Sequence, residues 1–446
     1  MGSLFGTDGI RGSANVELTP ELALALGRAL VTLLQETTDE RPAVVIGRDP
    51  RWSGEMLESA LVAGITSAGG DARTAGVLPT AAVAHLTSRS SAMAGAMISA
   101  SHNPVGDNGI KFFDGDGFKF DDATEARLEA LLDAPGARPR GVGIGRRLSD
   151  PAAVARYIEY LTSLADVDLA GMQVVVDGAN GAASSVAPQV YRQLGAEVIA
   201  VHCTPDGANI NLDCGSTHPE AVRAAVLEHG ADVGISHDGD ADRIVAVTST
   251  GADVDGDVIL AILARRGLDT GTLTQNTVVT TVMTNLGFRR AMDEIGVEVV
   301  ETAVGDRYVL QAMRERGLNL GGEQSGHIID LDHATTGDGI LTAVRLLTVM
   351  GETGASLDYL AGVMQHLPQV LVNVSGVDRA RLEGATSVWD LVNREQDRLG
   401  DSGRVLLRPS GTEPVVRVMV EAETEGDATA TAERIARQVR VDLAVA

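Results

Sequence analysis

The chain has 446 residues, room for about three domains at roughly 150 residues each. It is 44% hydrophobic and 22% charged but only 3% aromatic, so its cores are expected to rest on Val, Leu, Ile, Ala and Met. A net charge of -25 repels phosphate backbones and anionic lipid, which argues against nucleic-acid binding and membrane docking but leaves room for a small phosphorylated ligand in a local basic pocket.

The opening MGSLFGTDGIRG has neither a basic n-region nor an apolar h-region, and Gly6 breaks the myristoylation pattern. Thr19, Pro20 and Glu21 announce the first helix as cap, first residue and acidic first turn. Strands are expected at 43–47, 72–77 and 92–99, with helices at 56–67 and 81–88. The alternation restarts with strands at 172–176 and 197–201 around a DGANGA turn and a helix at 186–194. Further strands follow at 232–236 and 244–248. A third stretch gives a helix at 258–265, strands at 277–282 and 297–302, and helices at 307–315 and 340–350. The last 80 or so residues differ: 369–374 and 415–421 alternate like half-buried strands, and 428–441 reads as a helix. The expected fold is therefore three α/β domains and a C-terminal α+β domain, bounded at 1–165, 166–256, 257–366 and 367–446. The α/β blocks could be weak repeats, although no fixed period is visible. Two cysteines, Cys203 and Cys214, make no disulfide framework, and no run reaches the 18 apolar residues of a membrane span. Reduced thiols and a cytoplasmic location are the expectation.

Four polar loops stand beside apolar strands, where α/β sheets bind ligands. In Ser99–Pro104, followed by DNGIKFF, a serine could act as nucleophile and Lys111 could offset phosphate charge or move a proton; local turn bonding is the plainer reading. In Asp238–Arg243 three carboxylates alternate, and along an extended loop they would share a side and suit one hard cation. An EF-hand fails, because Arg243 stands where Gly is needed and Ser249 where Glu is needed. The neighbouring Asp253, Asp255 and Asp257 are read as an exposed acidic lead into a helix. Gly322–His327 offers Glu323 and Ser325 to hydroxyls and His327 as a proton carrier. Arg408–Pro414, with Arg417 beyond it, makes a phosphate cradle or an ordinary tight turn.

In this order and spacing, from FGTDGIRG to RPSGTEP, the loops resemble those of the α-D-phosphohexomutase superfamily over essentially the whole chain. The resemblance implies four domains around a central cleft, each lending one loop. It implies a phosphorylated Ser101, one Mg²⁺ per chain on Asp238, Asp240, Asp242 and the Ser101 phosphate, and sugar contacts from Glu323 and Ser325. Arg408, Ser410, Gly411, Thr412 and Arg417 would hold the phosphate that does not react. Arg11, His102, Lys111 and His327 are unranked candidates for charge stabilisation and proton transfer. A sugar 1,6-bisphosphate is implied as activator, a phosphosugar as the small-molecule partner, and a monomer or homodimer as the assembly.

Gln324 in GEQSGH, the TTGDGIL segment at 335–341 and the FGTDGIRG start look most like the branch acting on glucosamine phosphates. The rivals are the mannose and glucose phosphate branches, a serine- and metal-dependent phosphate hydrolase, and a silent binding protein. One departure is Ala241, where the family often has Gly; a positive φ there would cost about 1 kcal/mol.

Overall fold

The computed structural model describes residues 4–6, 8–133, 136, 138–410 and 415–444. They form two compact units: residues 1–282 with 297–363, and residues 283–296 with 364–446.

The first unit holds three mixed sheets. Strands β1 (Ile10–Ser13), β2 (Ala43–Arg48), β3 (Asp71–Val77), β4 (Ala94–Ile98), β5 (Asp107–Asp114) and β6 (Arg147–Ser149) lie in the order β1-β5-β4-β2-β3-β6. Next come β7 (Gln173–Asp177), β8 (Glu197–Val201), β9 (Val233–His237), β10 (Ile244–Thr248) and β11 (Asp253–Val254), ordered β11-β10-β9-β7-β8. The third sheet is β12 (Thr277–Thr281), β13 (Glu298–Thr302), β14 (Leu320–Gly322) and β15 (Ile328–Asp330), ordered β13-β12-β14-β15.

All three sheets share one device. A strand of the parallel core ends in a loop, and the chain returns antiparallel beside it: β4 to β5, β9 to β10, and β14 to β15. The Ser101, Asp238–Arg243 and Glu323–His327 loops are these three connections. The repeat is one of topology, which explains why no sequence period betrays it. Strand β5 was not expected as a strand. Its DNGIKFFD sequence carries polar residues into a fully paired, largely buried position, with Met97 opposite Lys111.

The first sheet is covered by helices Pro20–Leu34 and Trp52–Ser67. The first starts as expected, with the Thr19 hydroxyl accepting the Leu22 N–H at 3.2 Å. The two helices cross on glycines: a Cβ on Gly27 would stand 2.4 Å from the Leu61 carbonyl oxygen, and one on Gly64 would stand 2.2 Å from that of Leu24. This close crossing buries Leu26, Leu30, Leu57, Leu61 and Ile65, each stabilising the fold by about 1.5–3 kcal/mol. The core is aliphatic, as composition requires.

The second unit contains β16 (Gln369–Ser375), β17 (Gly403–Pro409) and β18 (Val415–Ala422), antiparallel in the order β16-β18-β17. They share a core with helices Thr386–Leu399 and Glu425–Asp442. The chain is thus α/β in three blocks with a C-terminal α+β block. Among the described residues, no single helix is long and apolar enough to cross a membrane.

Candidate active site

Ser101 leaves β4 in a left-handed conformation, φ +52, with 1% of its surface exposed. Such a conformation costs a residue with a Cβ about 1–2 kcal/mol, so the surroundings must impose it. The Ser101 N–H bonds the Ser99 hydroxyl at 3.0 Å, and that hydroxyl donates to Asp49 at 2.6 Å. Arg51, 0% exposed, pairs with Asp49 at 2.9 Å and donates to the carbonyls of Ser101 (3.0 Å), Asn103 (2.8 Å), Pro104 (2.5 Å) and Asp107 (3.2 Å). Asn211 donates to the Ser101 carbonyl at 2.8 Å. One buried guanidinium therefore staples the loop. Sequence reading missed Asp49 and Arg51; the signal was the charged pair in GRDPR directly after the buried run AVVIG.

The Ser101 hydroxyl donates to Asp238 at 2.5 Å, which joins the first loop to the second. Asp238, Asp240 and Asp242 are buried, and one oxygen of each lies within 4.8 Å of the others. An extended strand does not bring them together. The loop turns at Ala241, φ +59, whose N–H bonds the Asp238 carbonyl at 3.1 Å. Burial, then Asp242 and Asp240, push the Asp238 carboxyl well above its ordinary range. Burial pushes Asp240 upward too, but Lys111 and the Thr80 hydroxyl outweigh it and hold that carboxyl below its usual value. The Lys111 ammonium lies 2.9 Å from Asp240, 3.2 Å from Asp8 and 3.7 Å from Asp242. Thr80 donates to Asp240 at 2.6 Å. The buried Oδ1 atoms of Asp240 and Asp242 have no hydrogen-bond donor. Converging buried carboxylates with bare oxygens fit a hard divalent cation.

The remaining unit-one candidates surround this centre. His102 places Nδ1 3.3 Å from the Ser101 hydroxyl. Burial, then the Arg243 and Arg11 guanidiniums, lower the His102 imidazole to about 4. Arg11 bonds Asp8, which also receives Lys119 at 2.7 Å; Lys119 in turn bonds Asp306. Asp8, Lys119 and Asp306 complete a chain of alternating charge that sequence reading passed over. Asp8 was in view in FGTDGIRG, whereas nothing marks Lys119 until folding buries it.

The third loop docks on the second. Arg243 and His327 form a β-bridge, and the Ile244 N–H bonds the Gly326 carbonyl at 3.1 Å. A Cβ on Gly326 would fall 1.9 Å from the Ile244 carbonyl oxygen, so the contact requires glycine. The His327 Nε2 lies 3.7 Å from Asp306 and 3.9 Å from Asp242. Glu323 accepts the Gly305 N–H at 3.1 Å, and burial raises its carboxyl above the ordinary value. Ser325 is exposed. Gln324 directs its amide to Asp255 at 3.4 Å, and Asp255 caps helix Gly256–Thr270 through the Val258 N–H at 3.2 Å. Of the other two acidic neighbours, Asp253 is exposed and pairs with Arg223, while Asp257 is buried rather than exposed.

The TTGDGIL segment proves to be scaffolding. Asp338 caps helix Gly339–Thr353 through the N–H groups of Ile340 (3.1 Å) and Leu341 (2.9 Å). Gly339 lets that helix touch the acidic loop, since a Cβ would meet the Arg243 carbonyl oxygen at 2.1 Å. Gly337 leaves room for the His327 ring.

In the second unit Arg408 and Arg417 stand directly opposite across β17 and β18. Burial, then Arg417, lower the Arg408 guanidinium below its usual value. Two facing cations suit a bound anion. Ser410 is buried, its N–H bonding the Val415 carbonyl at 2.9 Å and its own carbonyl accepting Arg379 at 2.5 Å. Gly411 and Thr412 lie outside the described residues.

Family models for the phosphoglucomutase/phosphomannomutase α/β/α domains match residues 2–138 (domain I), 155–251 (domain II) and 255–367 (domain III), and the family's C-terminal domain matches 371–438. The chain belongs to this family of phosphosugar-mutase folds. Its relatives narrow the class. The phosphoglucosamine mutase of Saccharopolyspora erythraea is 56% identical over 440 residues, 98% of this chain and 99% of the relative. That of Salinispora tropica is 55% identical over 445 residues, 99% of each chain. Among solved structures, a phosphoglucomutase/phosphomannomutase family protein from Burkholderia thailandensis superposes with TM-score 0.82 at 24% identity, covering 99% of this chain and 97% of its own. The Aspergillus fumigatus N-acetylphosphoglucosamine mutase, in complex with GlcNAc-6P and magnesium, gives TM-score 0.70 at 19% identity over 98% and 95%. At these identities the two structures speak to the fold alone.

Proposed function

We propose that the chain interconverts glucosamine 6-phosphate and glucosamine 1-phosphate, the activity named in its full-length relatives. The observation that carries the reading is the buried Ser101 hydroxyl, 2.5 Å from Asp238 at the edge of the three-carboxylate cluster. A hydroxyl at that point supports a role in carrying a phosphoryl group beside a cation.

Phosphorylated Ser101 gives its phosphoryl group to O1 of glucosamine 6-phosphate, and the sugar hydroxyl proton leaves to a base. The resulting 1,6-bisphosphate turns over, and the Ser101 oxygen takes the 6-phosphoryl group while the protonated base returns its proton to O6, releasing glucosamine 1-phosphate. Asp238, Asp240 and Asp242 would hold one Mg²⁺, which supplies charge neutralisation on the transferring group. Lys111, ion-paired among Asp8, Asp240 and Asp242, is a fixed cation rather than a base. His102 holds Nδ1 3.3 Å from the serine oxygen and His327 lies across the acidic loop, so these two share the proton transfers. Arg11, held by Asp8, adds positive charge near Asp240 and Asp242. Glu323 and Ser325 read sugar hydroxyls. Arg408, Ser410, Gly411, Thr412 and Arg417 take the phosphate that is not reacting.

The test is an isomerisation assay with Mg²⁺ and a catalytic amount of sugar 1,6-bisphosphate, comparing glucosamine, glucose and mannose phosphates. Preference for the amino sugar is expected, with no turnover in Ser101→Ala despite an unchanged fold. Equal or better use of a neutral hexose phosphate, or steady release of inorganic phosphate without isomer, overturns the reading.

A further inference from the structure

At the end of the second sheet a different set of donors converges. Asp177 closes β7, His202 follows β8 with φ +46, and the chain comes back past them at Cys214 and Gly215. One donor atom from each of Asp177, His202 and Cys214 lies within 4.8 Å of the other two. Among the described residues, this and the Asp238 cluster are the two such groups. Asp177 and Cys214 are wholly buried, while the His202 side chain keeps 36% of its surface exposed, which leaves an entry path.

The carboxylate is held in advance. Its Oδ1 accepts the Ala179 N–H at 2.8 Å; its Oδ2 accepts the Gly215 N–H at 3.1 Å and faces His202 Nδ1 at 3.1 Å. A carboxylate has about four lone-pair directions; the two backbone N–H groups take two, and the one facing His202 is freed for a ligand when Nδ1 gives up its proton. The Cys214 sulfur has only a long contact, 4.0 Å, with the Asn180 amide. The plain alternative is an Asp–His hydrogen bond beside an inert buried thiol. Against it stands the donor set, one thiolate sulfur, one imidazole nitrogen and one carboxylate oxygen, which differs from the oxygen-only Asp238 cluster and suits a softer ion.

We propose that Asp177, His202 and Cys214 form a second metal site for a zinc-class divalent ion, with its fourth position open to solvent. On binding, the Cys214 thiol loses its proton to solvent as the sulfur–metal bond forms. His202 offers the Nδ1 lone pair and carries its proton on Nε2. No electron changes hands. The ion ties β7 to the 202–215 segment, which carries Asn211 and so the Ser101 carbonyl. It is structural, and it stiffens the back of the serine loop.

Co²⁺ is the probe, added to the full chain with its thiols reduced and with saturating Mg²⁺ present to hold the oxygen-only cluster. A sulfur-to-cobalt charge-transfer band that saturates at one equivalent is expected. Cys214→Ser should lose the band. His202→Ala, at a partly exposed side chain, should weaken Co²⁺ binding by more than about tenfold, since even outer-sphere changes cost that much. This second variant keeps the test decisive if Cys214→Ser folds poorly. Three results overturn the site: no band at large Co²⁺ excess, a band that survives Cys214→Ser, or a thiol count showing Cys203 and Cys214 joined as a disulfide.

Discussion

Ala241 sits with φ +59 inside the acidic loop, the geometry in which a Cβ costs about 1 kcal/mol relative to glycine. Ala241→Gly should therefore raise resistance to urea by about 1 kcal/mol, read as a higher midpoint at unchanged slope. A lower midpoint would show that the buried methyl contributes more than the strain costs. Arg51 makes the opposite case. Arg51→Ala leaves Asp49 buried without its cation and takes the guanidinium donors from the carbonyls of Ser101, Asn103, Pro104 and Asp107, and should destabilise the first unit by about 3–5 kcal/mol. Arg51→Lys restores charge without the planar fork and should recover only part of that loss in the same unfolding measurement. Ala241 was legible in the sequence as a departure from glycine. The role of Arg51 was not, because a charged pair after a strand reads as solvent-facing until the fold encloses it.

Helix Gly339–Thr353 shows how an element can take its cap from a strained charge. Asp338 caps it and accepts the Tyr157 hydroxyl at 2.5 Å, yet burial raises its carboxyl from 3.8 to about 6. A carboxyl whose pKa is higher in the fold is favoured there as the acid. Its ionisation therefore costs stability that sets in as pH rises from 3.8 to about 6 and persists above. Asp338→Asn keeps the capping oxygen and removes the titration. The Tm advantage of the Asn variant over the parent should grow between pH 4 and 6 and then level off; a constant difference would contradict the assignment. In the TTGDGIL segment, Asp338 caps a helix and Gly337 and Gly339 make room for close packing. Sequence identity marks both kinds equally, since a glycine needed for a 2.1 Å clearance is as constrained as a ligand.

For the molecule as a whole, the two units should respond differently to magnesium. The three carboxylates belong to the first unit, and a cation there relieves their mutual repulsion. Saturating Mg²⁺ should slow hydrogen exchange in β9, β10 and the loop between them, by about 2.7 kcal/mol at a hundredfold excess over Kd. Exchange in β16 and β18 should not change. Equal protection of both units, or of neither, would count against a cation on Asp238, Asp240 and Asp242.

The sequence by itself determined the class of fold, the four loops and the family, because apolar runs of strand and helix length and short polar motifs are local properties of the chain. It also singled out the side chains proposed to carry chemistry: Ser101, the three aspartates, Lys111, His327 and the arginine pair. Tertiary structure alone decided how they meet. The carboxylates converge through a left-handed turn at Ala241 rather than along an extended strand. Ser101 is shaped by an arginine 50 positions earlier, and Lys119 joins Asp8 to Asp306 from opposite ends of the first unit. Such pairings lie far apart in sequence and follow no period. Burial, which turns a surface charge into a structural one, exists only once the chain has closed around it.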